Sequence, residues 1–224
     1  MLQIARGCNG HCTYCITRIA RGKLVSFPPE YIVEQALAFV QAGAAEIQVT
    51  AQDVSSWGMD RDDGLRLPDL LRALTQIPGE FRIRIGMTNP DTLLPILDDF
   101  LDALADPKIF LFLHVPVQSG SDAVLKAMGR SYTAAQYEEI CRRARARYTN
   151  IRISTDYITG FCGETDDDCA ASVAQILATR PGKVNITRFS VRPGTPAAKM
   201  KNLPEHVKKE RSRALTNAAN VVYD

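Results

Sequence analysis

Cys8, Cys12 and Cys15 form a C-x3-C-x2-C motif, three thiols within eight residues. Thiolates this close in sequence can wrap one metal centre. A structural zinc site is closed and four-coordinate, commonly built from two ligand pairs far apart. Here His11 would be the fourth ligand, and it would have to fold back beside Cys12. A disulfide with a spare thiol, or three packed cysteines, fits poorly with a loop carrying Asn9, Gly10, His11 and Thr13. A cubane iron–sulfur cluster fits better. Three protein thiolates leave one iron open to bind a small molecule, as a catalytic metal keeps an open position. Gly7 and Gly10 permit the tight backbone that a bulky cluster demands.

The motif directly follows a short apolar run, 2–6 (LQIAR), and similar runs recur along the chain. Strands are predicted at 2–6, 46–50, 81–86, 109–115, 151–158 and 184–191. The fourth, IFLFLHV, is apolar on both sides, as a buried parallel strand requires. Helical spacing predicts helices at 31–42, 68–76, 91–105, 121–128, 133–147, 165–178 and 205–222. Pro28-Pro29 suits the first turn of the first helix, and Thr-Asp-Asp-Asp opens the sixth segment with acids at its N-terminus. Six β-then-α units in order predict an α/β fold with a parallel sheet, either a partial (β/α)6 TIM-like barrel or an open doubly wound sheet. In both, chemistry sits at the C-terminal ends of the strands.

Of the 224 residues, 46% are hydrophobic and 23% charged, so the chain has ample material for a core and is not a disordered segment. One domain over 1–224 is the simplest organisation. No apolar run reaches the ~18 residues of a membrane span. The N-terminus lacks the layout of a signal peptide, so six cysteines point to a reducing compartment and a cytoplasmic protein. The net charge is only +2, but it is unevenly spread. Residues 53–106 hold eleven acids against five bases, and residues 180–213 hold ten bases against two acids. That asymmetry suits a basic face meeting a polyanion, with an ordinary solvated surface as the plainer reading.

The cysteine spacing, with Tyr14 just before the last cysteine, resembles the radical S-adenosylmethionine (SAM) superfamily. GCNGHCTYCITRIARGKL, VTAQDV, HVPVQSGSDAVLKAMGRSYT, TDYITGFCGET and RFSVRPGTPAA resemble the methylthiotransferases within it. ITRIARGKL, RIGMTNP and NITRFSVRPGTPAAKM are most similar to the archaeal and eukaryotic branch. That branch converts N6-threonylcarbamoyladenosine, beside the tRNA anticodon, to its 2-methylthio derivative. The resemblance implies a partial barrel of the radical SAM type, a [4Fe-4S] cluster on Cys8, Cys12 and Cys15, and reductive cleavage of SAM to a 5′-deoxyadenosyl radical. It also implies tRNA as substrate, a reduced flavodoxin- or ferredoxin-type electron donor, and a monomer. The family carries a second cluster in an N-terminal domain and an RNA-binding domain at the C-terminus. This chain begins at the first barrel strand and stops after the helix of the sixth unit, so both are expected to lie outside it, and the chain alone is expected not to complete the reaction.

By the same resemblance, Thr50, Gln52 and Asp53 stand where the superfamily contacts the amino group of SAM. An amide and a carboxylate suit an ammonium, against the plainer role of a strand-end turn and cap. Gln118 and Ser119 are placed to hold the ribose or carboxylate, with Ser121 read as a helix cap. Asp156 and the turn Gly160–Glu164 stand where adenine is cradled. Arg188 and Arg192 suit either the cofactor carboxylate or a tRNA phosphate. Cys162 replaces the proline usual in that turn. Cys141 and Cys169 are expected to be packed thiols, His114 a core histidine, and Trp57 loop packing rather than a base-stacking platform; His206 has no partner pattern. Two other functions stay open: methylthiolation of a ribosomal protein, and a non-catalytic zinc- or RNA-binding module.

Overall fold

The computed structural model describes residues 1–223. It falls into two compact units. The first comprises residues 1–9, 17–114 and 147–151, and the second residues 10–16, 115–146 and the described residues from 152 onward.

In the first unit, β1 (Leu2–Gln3), β4 (Glu46–Thr50) and β5 (Arg82–Ile85) form a parallel sheet in the order β1-β4-β5. Leu2 pairs with Val49, and Ile47 with Ile83. Bridges Ile83–Ile109 and Met87–His114 carry the sheet to β6 (Phe112–His114). The first expected strand is split. β1 pairs in parallel, whereas β2 (Ala5–Arg6) turns away to pair antiparallel with β3 (Val25–Ser26). Between β2 and β3 lies a short helix, α1 (Thr17–Arg21), that the sequence pattern did not reveal.

α2 (Pro29–Gln41) starts at the double proline and buries Ile32 and Ala36. α3 (Leu67–Thr75) is fastened by the Asp69 carboxylate, which accepts from the Arg66 N–H at 2.9 Å. The helix expected at 91–105 is broken into α4 (Pro90–Leu93), a 3-10 turn at Leu94–Ile96, and α5 (Leu97–Ala103). Pro95 has no N–H to donate and its ring clashes with the carbonyl four residues back, which ends an α-helix. Leu70, Leu71, Leu74, Leu97 and Phe100 join Ile4, Val49, Ile83 and Ile85 among the buried residues.

In the second unit, β7 (Arg152–Thr159) pairs in parallel with β8 (Lys183–Arg188) from Ser154–Lys183 to Thr159–Arg188. Residues 115–118 run along the other side of β7. The Val115 N–H donates to the Ser154 carbonyl at 2.9 Å, and Gln118 is bridged to Tyr157. α6 (Asp122–Ala127), α7 (Ala134–Arg147), α8 (Asp166–Thr179) and α9 (Glu205–Tyr223) complete the series. α8 opens with a reciprocal cap: Thr165 Oγ1 accepts from the Asp168 N–H at 3.2 Å, and the Asp168 carboxylate accepts from the Thr165 N–H at 2.8 Å. Such a cap is worth about 1 kcal/mol. β8 ends at Arg188, three residues short of expectation, where the chain turns into Phe189 and then the loop before a 3-10 turn at Pro196–Lys199.

Candidate metal and cofactor site

All three motif cysteines are half-buried and outside any disulfide among the described residues. Cys8 belongs to the first unit, and Cys12 and Cys15 to the second. In the first unit, the Cys8 N–H donates to the Gly22 carbonyl at 3.2 Å, and Asn9 Oδ1 accepts from the Leu24 N–H at 3.2 Å. Gly7, at φ 72°, lies hard against the Lys23 carbonyl, with no room for a Cβ. The glycine read as a loop-former is thus required by both conformation and space.

In the second unit, Thr13 fastens the loop on three sides. Its N–H donates to the Met128 carbonyl and its hydroxyl to the Ala127 carbonyl, each at 2.9 Å. Its own carbonyl accepts from the Ala197 N–H at 2.9 Å. Gly129 (φ 71°) passes directly beneath the His11 carbonyl; a Cβ there would stand 2.7 Å from it. Arg130 Nη2 donates to Tyr14 Oη at 2.8 Å, and its guanidinium packs over the rings of Tyr14 and Tyr132. Tyr14 meets Phe161 edge-to-face, with Phe161 in turn against Phe189. Burial pushes the Tyr14 phenol and the Cys12 thiol above their ordinary values, while Arg130 pulls both down. Arg130 is therefore the cation that eases formation of a thiolate at Cys12.

The other expected site residues lie at strand ends in one unit or the other. Thr50 ends β4, and its hydroxyl donates weakly to the Leu2 carbonyl at 3.4 Å. Gln52 Oε1 is buried with no hydrogen-bond partner, a vacancy that a donor group of a ligand would fill. Asp53 has the plainer of its two expected roles. It is buried, accepts from the Ser55 N–H (3.0 Å) and hydroxyl (2.6 Å) and from the Thr92 hydroxyl (2.8 Å), and caps a 3-10 turn at Val54–Ser56.

In the second unit, Gln118 is buried at φ 71°, a strained conformation for a side chain of its size. Its N–H donates to the Asp156 carbonyl at 2.8 Å, and its carbonyl accepts from the Ile158 N–H at 2.9 Å. Ser119 is fully buried beside Ser172, and Ser121 caps α6. Asp156, half-buried on β7, accepts from the Asn185 side chain directly across on β8. Arg188 is exposed at the end of β8, opposite Thr159. The structure thus brings Gln118, Asp156, Gly160 and Arg188 to one end of the β7–β8 pair. Thr159, not anticipated from sequence, adds a buried hydroxyl without a hydrogen-bond partner there.

The Gly160–Glu164 turn is gripped by α9. Gly160 (φ 69°) abuts the Lys208 side chain, and its N–H donates to Glu164. Arg211 reaches the Glu164 carboxylate (3.1 Å) and carbonyl (2.8 Å) and the Asp166 carboxylate (2.8 Å). Lys208 Nζ donates to the Phe189 carbonyl (3.0 Å) and to Glu205 (2.8 Å). Two of the ten bases of the 180–213 stretch are thus buried structural cations rather than parts of a basic face. The signal for this lay in their spacing, i and i+3 on one helix face. Trp57 is fully buried and donates to the Phe27 carbonyl at 3.1 Å, so it is loop packing. Cys162 sits in an apolar cluster with Val124, Met128, Phe161 and Phe189. Cys141 and Cys169 are buried, each pushed up to about 11 by desolvation.

Among the described residues, no three His, Cys, Asp or Glu side chains gather tightly enough to hold a single ion. Residues 2–176 match the description "Radical SAM superfamily". A probable threonylcarbamoyladenosine tRNA methylthiotransferase of Archaeoglobus fulgidus is 45% identical over 97% of this chain and 51% of its own length. A threonylcarbamoyladenosine tRNA methylthiotransferase of Danio rerio is 43% identical over 96% of this chain and 39% of its own. The chain therefore spans about half the length, or less, of these curated relatives. Among solved structures, the radical SAM methyltransferase TsrM from Kitasatospora setae superposes with a TM-score of 0.72 at 18% identity, over 88% of this chain and 38% of that one. The coproporphyrinogen III oxidase HemN from Escherichia coli gives 0.67 at 18% identity, over 96% and 51%. The α/β fold is that of radical SAM enzymes. No helix among the described residues is long and apolar enough to cross a membrane.

Proposed function

The chain belongs to the radical SAM superfamily, and from that membership we propose that it is the radical-generating core of a threonylcarbamoyladenosine tRNA methylthiotransferase. The observation that carries the reading is the C-x3-C-x2-C motif of Cys8, Cys12 and Cys15 within the matched residues 2–176. Cys8, Cys12 and Cys15 would hold a [4Fe-4S] cluster. The chemistry a loaded cluster supplies is one-electron reductive cleavage of the sulfonium of SAM.

The chain's own residues bind and orient. Gln52, with its unpartnered buried carbonyl, accepts from the amino group of SAM, and Asp53 fixes the turn that presents it. Gln118, Ser119, Asp156, Thr159 and Gly160 offer backbone and side-chain polar groups to the ribose and adenine. Arg188 offers its guanidinium to a carboxylate or phosphate. Tyr14 and the Phe161–Phe189 pair wall the cysteine loop with apolar rings, which excludes water from a reactive radical.

Electron balance requires a one-electron donor, assigned to a reduced flavodoxin- or ferredoxin-type protein. Cys141, Cys162 and Cys169 are buried on separate elements, which supports assigning sulfur handling and its second cluster to a part of the longer relatives beyond the matched half. Six cysteines with no disulfide among the described residues suit a reducing compartment such as the cytoplasm. The test is anaerobic reconstitution with iron and sulfide, reduction, and quantitation of 5′-deoxyadenosine from SAM. The wild-type protein should release it slowly and form no methylthio-tRNA. Cys8→Ala, Cys12→Ala and Cys15→Ala should each abolish it, while Cys141→Ala should not. Equal product from the Cys12→Ala protein would overturn the assignment.

A further inference from the structure

The excursion between β2 and β3 carries charge that cofactor cleavage does not use. From residue 1 to residue 29 the chain holds four cations, Arg6, Arg18, Arg21 and Lys23, and no Asp or Glu. All four are exposed. Among the described residues none of them forms an ion pair. Four exposed cations with no carboxylate in the same stretch give it a local positive charge, which attracts a polyanion.

The excursion is nevertheless well held. Arg6 pairs in register with Val25, the Cys8 N–H donates to Gly22, and the Gly22 N–H donates to the Arg18 carbonyl at 3.1 Å. Gly7 is locked against the Lys23 carbonyl. The backbone beside Cys8 is thereby tied to the residues that carry Arg18, Arg21 and Lys23. α1 itself buries none of its side chains, and Ile19 is 62% exposed.

We infer that Arg6, Arg18, Arg21 and Lys23 form a phosphate-contacting surface that guides the tRNA substrate to the chemistry beside Cys8. This rests on the reading that the substrate is tRNA. A target base that reaches the radical must bring its flanking phosphates past Cys8, and the residues that carry the unpaired cations are tied to the backbone beside Cys8. An acidic electron-donor protein is the competing occupant. A protein interface normally adds an apolar core rich in aromatic residues. Here the exposed large apolar residues between positions 7 and 25 are Ile16, Ile19 and Val25, none of them aromatic. A nucleic-acid backbone needs no such core, and three of the four cations are arginines, whose planar fork matches a phosphate.

The test is binding of a labelled unmodified tRNA transcript by fluorescence anisotropy across a salt series, with the cluster-loaded protein. Proteins compared are wild type, Arg18→Glu/Arg21→Glu and Arg18→Lys/Arg21→Lys. The reversal should weaken binding on the order of tenfold or more and flatten the salt slope by roughly one unit per lost contact. The lysine pair should retain the slope. Visible absorbance of the cluster and circular dichroism verify that the variants are folded. If wild type binds and the reversal changes neither affinity nor slope, the surface assignment is overturned and the tRNA reading stands. Failure of wild type to bind tRNA even at low salt overturns the tRNA reading together with the surface. If the reversal slows cluster reduction by an acidic flavodoxin but leaves RNA affinity intact, the surface belongs to the electron donor and the RNA assignment is wrong.

Discussion

Thr13 does more to hold the cysteine loop than any residue between the thiols. Its hydroxyl bond to Ala127 can be deleted almost isosterically. Thr13→Val should lower the stability of the loop by about 1 kcal/mol, the ordinary net worth of one hydrogen bond. Its expected effect is faster cluster loss to a chelator, with the thermal transition of the whole chain barely moved. Gly129→Ala is the harsher change, since it meets both a positive φ and the His11 carbonyl. It should cost about 1–3 kcal/mol and reduce iron content after reconstitution; unchanged iron uptake would show that this contact does not position the loop. The three cysteines stand out as candidate ligands from spacing alone. Thr13, Gly129 and Arg130 do not, because their importance comes from contacts between segments more than a hundred residues apart, which a local pattern does not encode. Asp53 marks the opposite limit. Its type suited an ammonium and a cap equally, and only the positions of Ser55 and Thr92 decide for the cap.

Among the elements, the long β7, α8 and α9 were readable to within one residue, because their periodicity runs over many positions. The splitting of the first strand was not, since LQIAR has the same apolar pattern whether it pairs with one neighbour or two. Pro95 in the middle of an otherwise helical stretch was a visible warning, and the helix does break there. The grip of α9 on the turn after β7 invites a stability test. Burial raises the Glu164 carboxyl above its ordinary value of 4.5, although Arg211 and the Gly160 N–H oppose the rise. The folded state then holds this proton more tightly than the unfolded chain does. Stability from that proton is complete below about pH 4.5 and is lost as pH rises through the higher folded value. Glu164→Gln, which keeps the shape without the charge and leaves Arg211 its Asp166 partner, should therefore gain on wild type as pH rises from 4 to 7. Glu164→Ala, which leaves the buried Gly160 N–H without its acceptor, should cost about 1–3 kcal/mol at pH 7. Urea denaturation of the three proteins at both pH values checks this. A Gln variant that falls further behind wild type as pH rises would reverse the sign of the argument.

For the whole molecule, composition and charge spoke less clearly than motif and topology. The basic C-terminal stretch looked like a single polyanion-binding face, but Lys208 and Arg211 turn inward to hold the fold. The four unpaired cations near the N-terminus were fewer and drew less notice in a count of charges. The central claim is that three thiolates from this chain hold a cluster with one iron left open for SAM. Electron paramagnetic resonance of the reduced, reconstituted protein, recorded with and without SAM, addresses it directly. The account predicts a [4Fe-4S]+ signal whose g-values shift when SAM is added, because the cofactor coordinates the open iron. A cluster signal that SAM leaves unchanged, or a protein that takes up zinc and no iron–sulfur cluster, would contradict it.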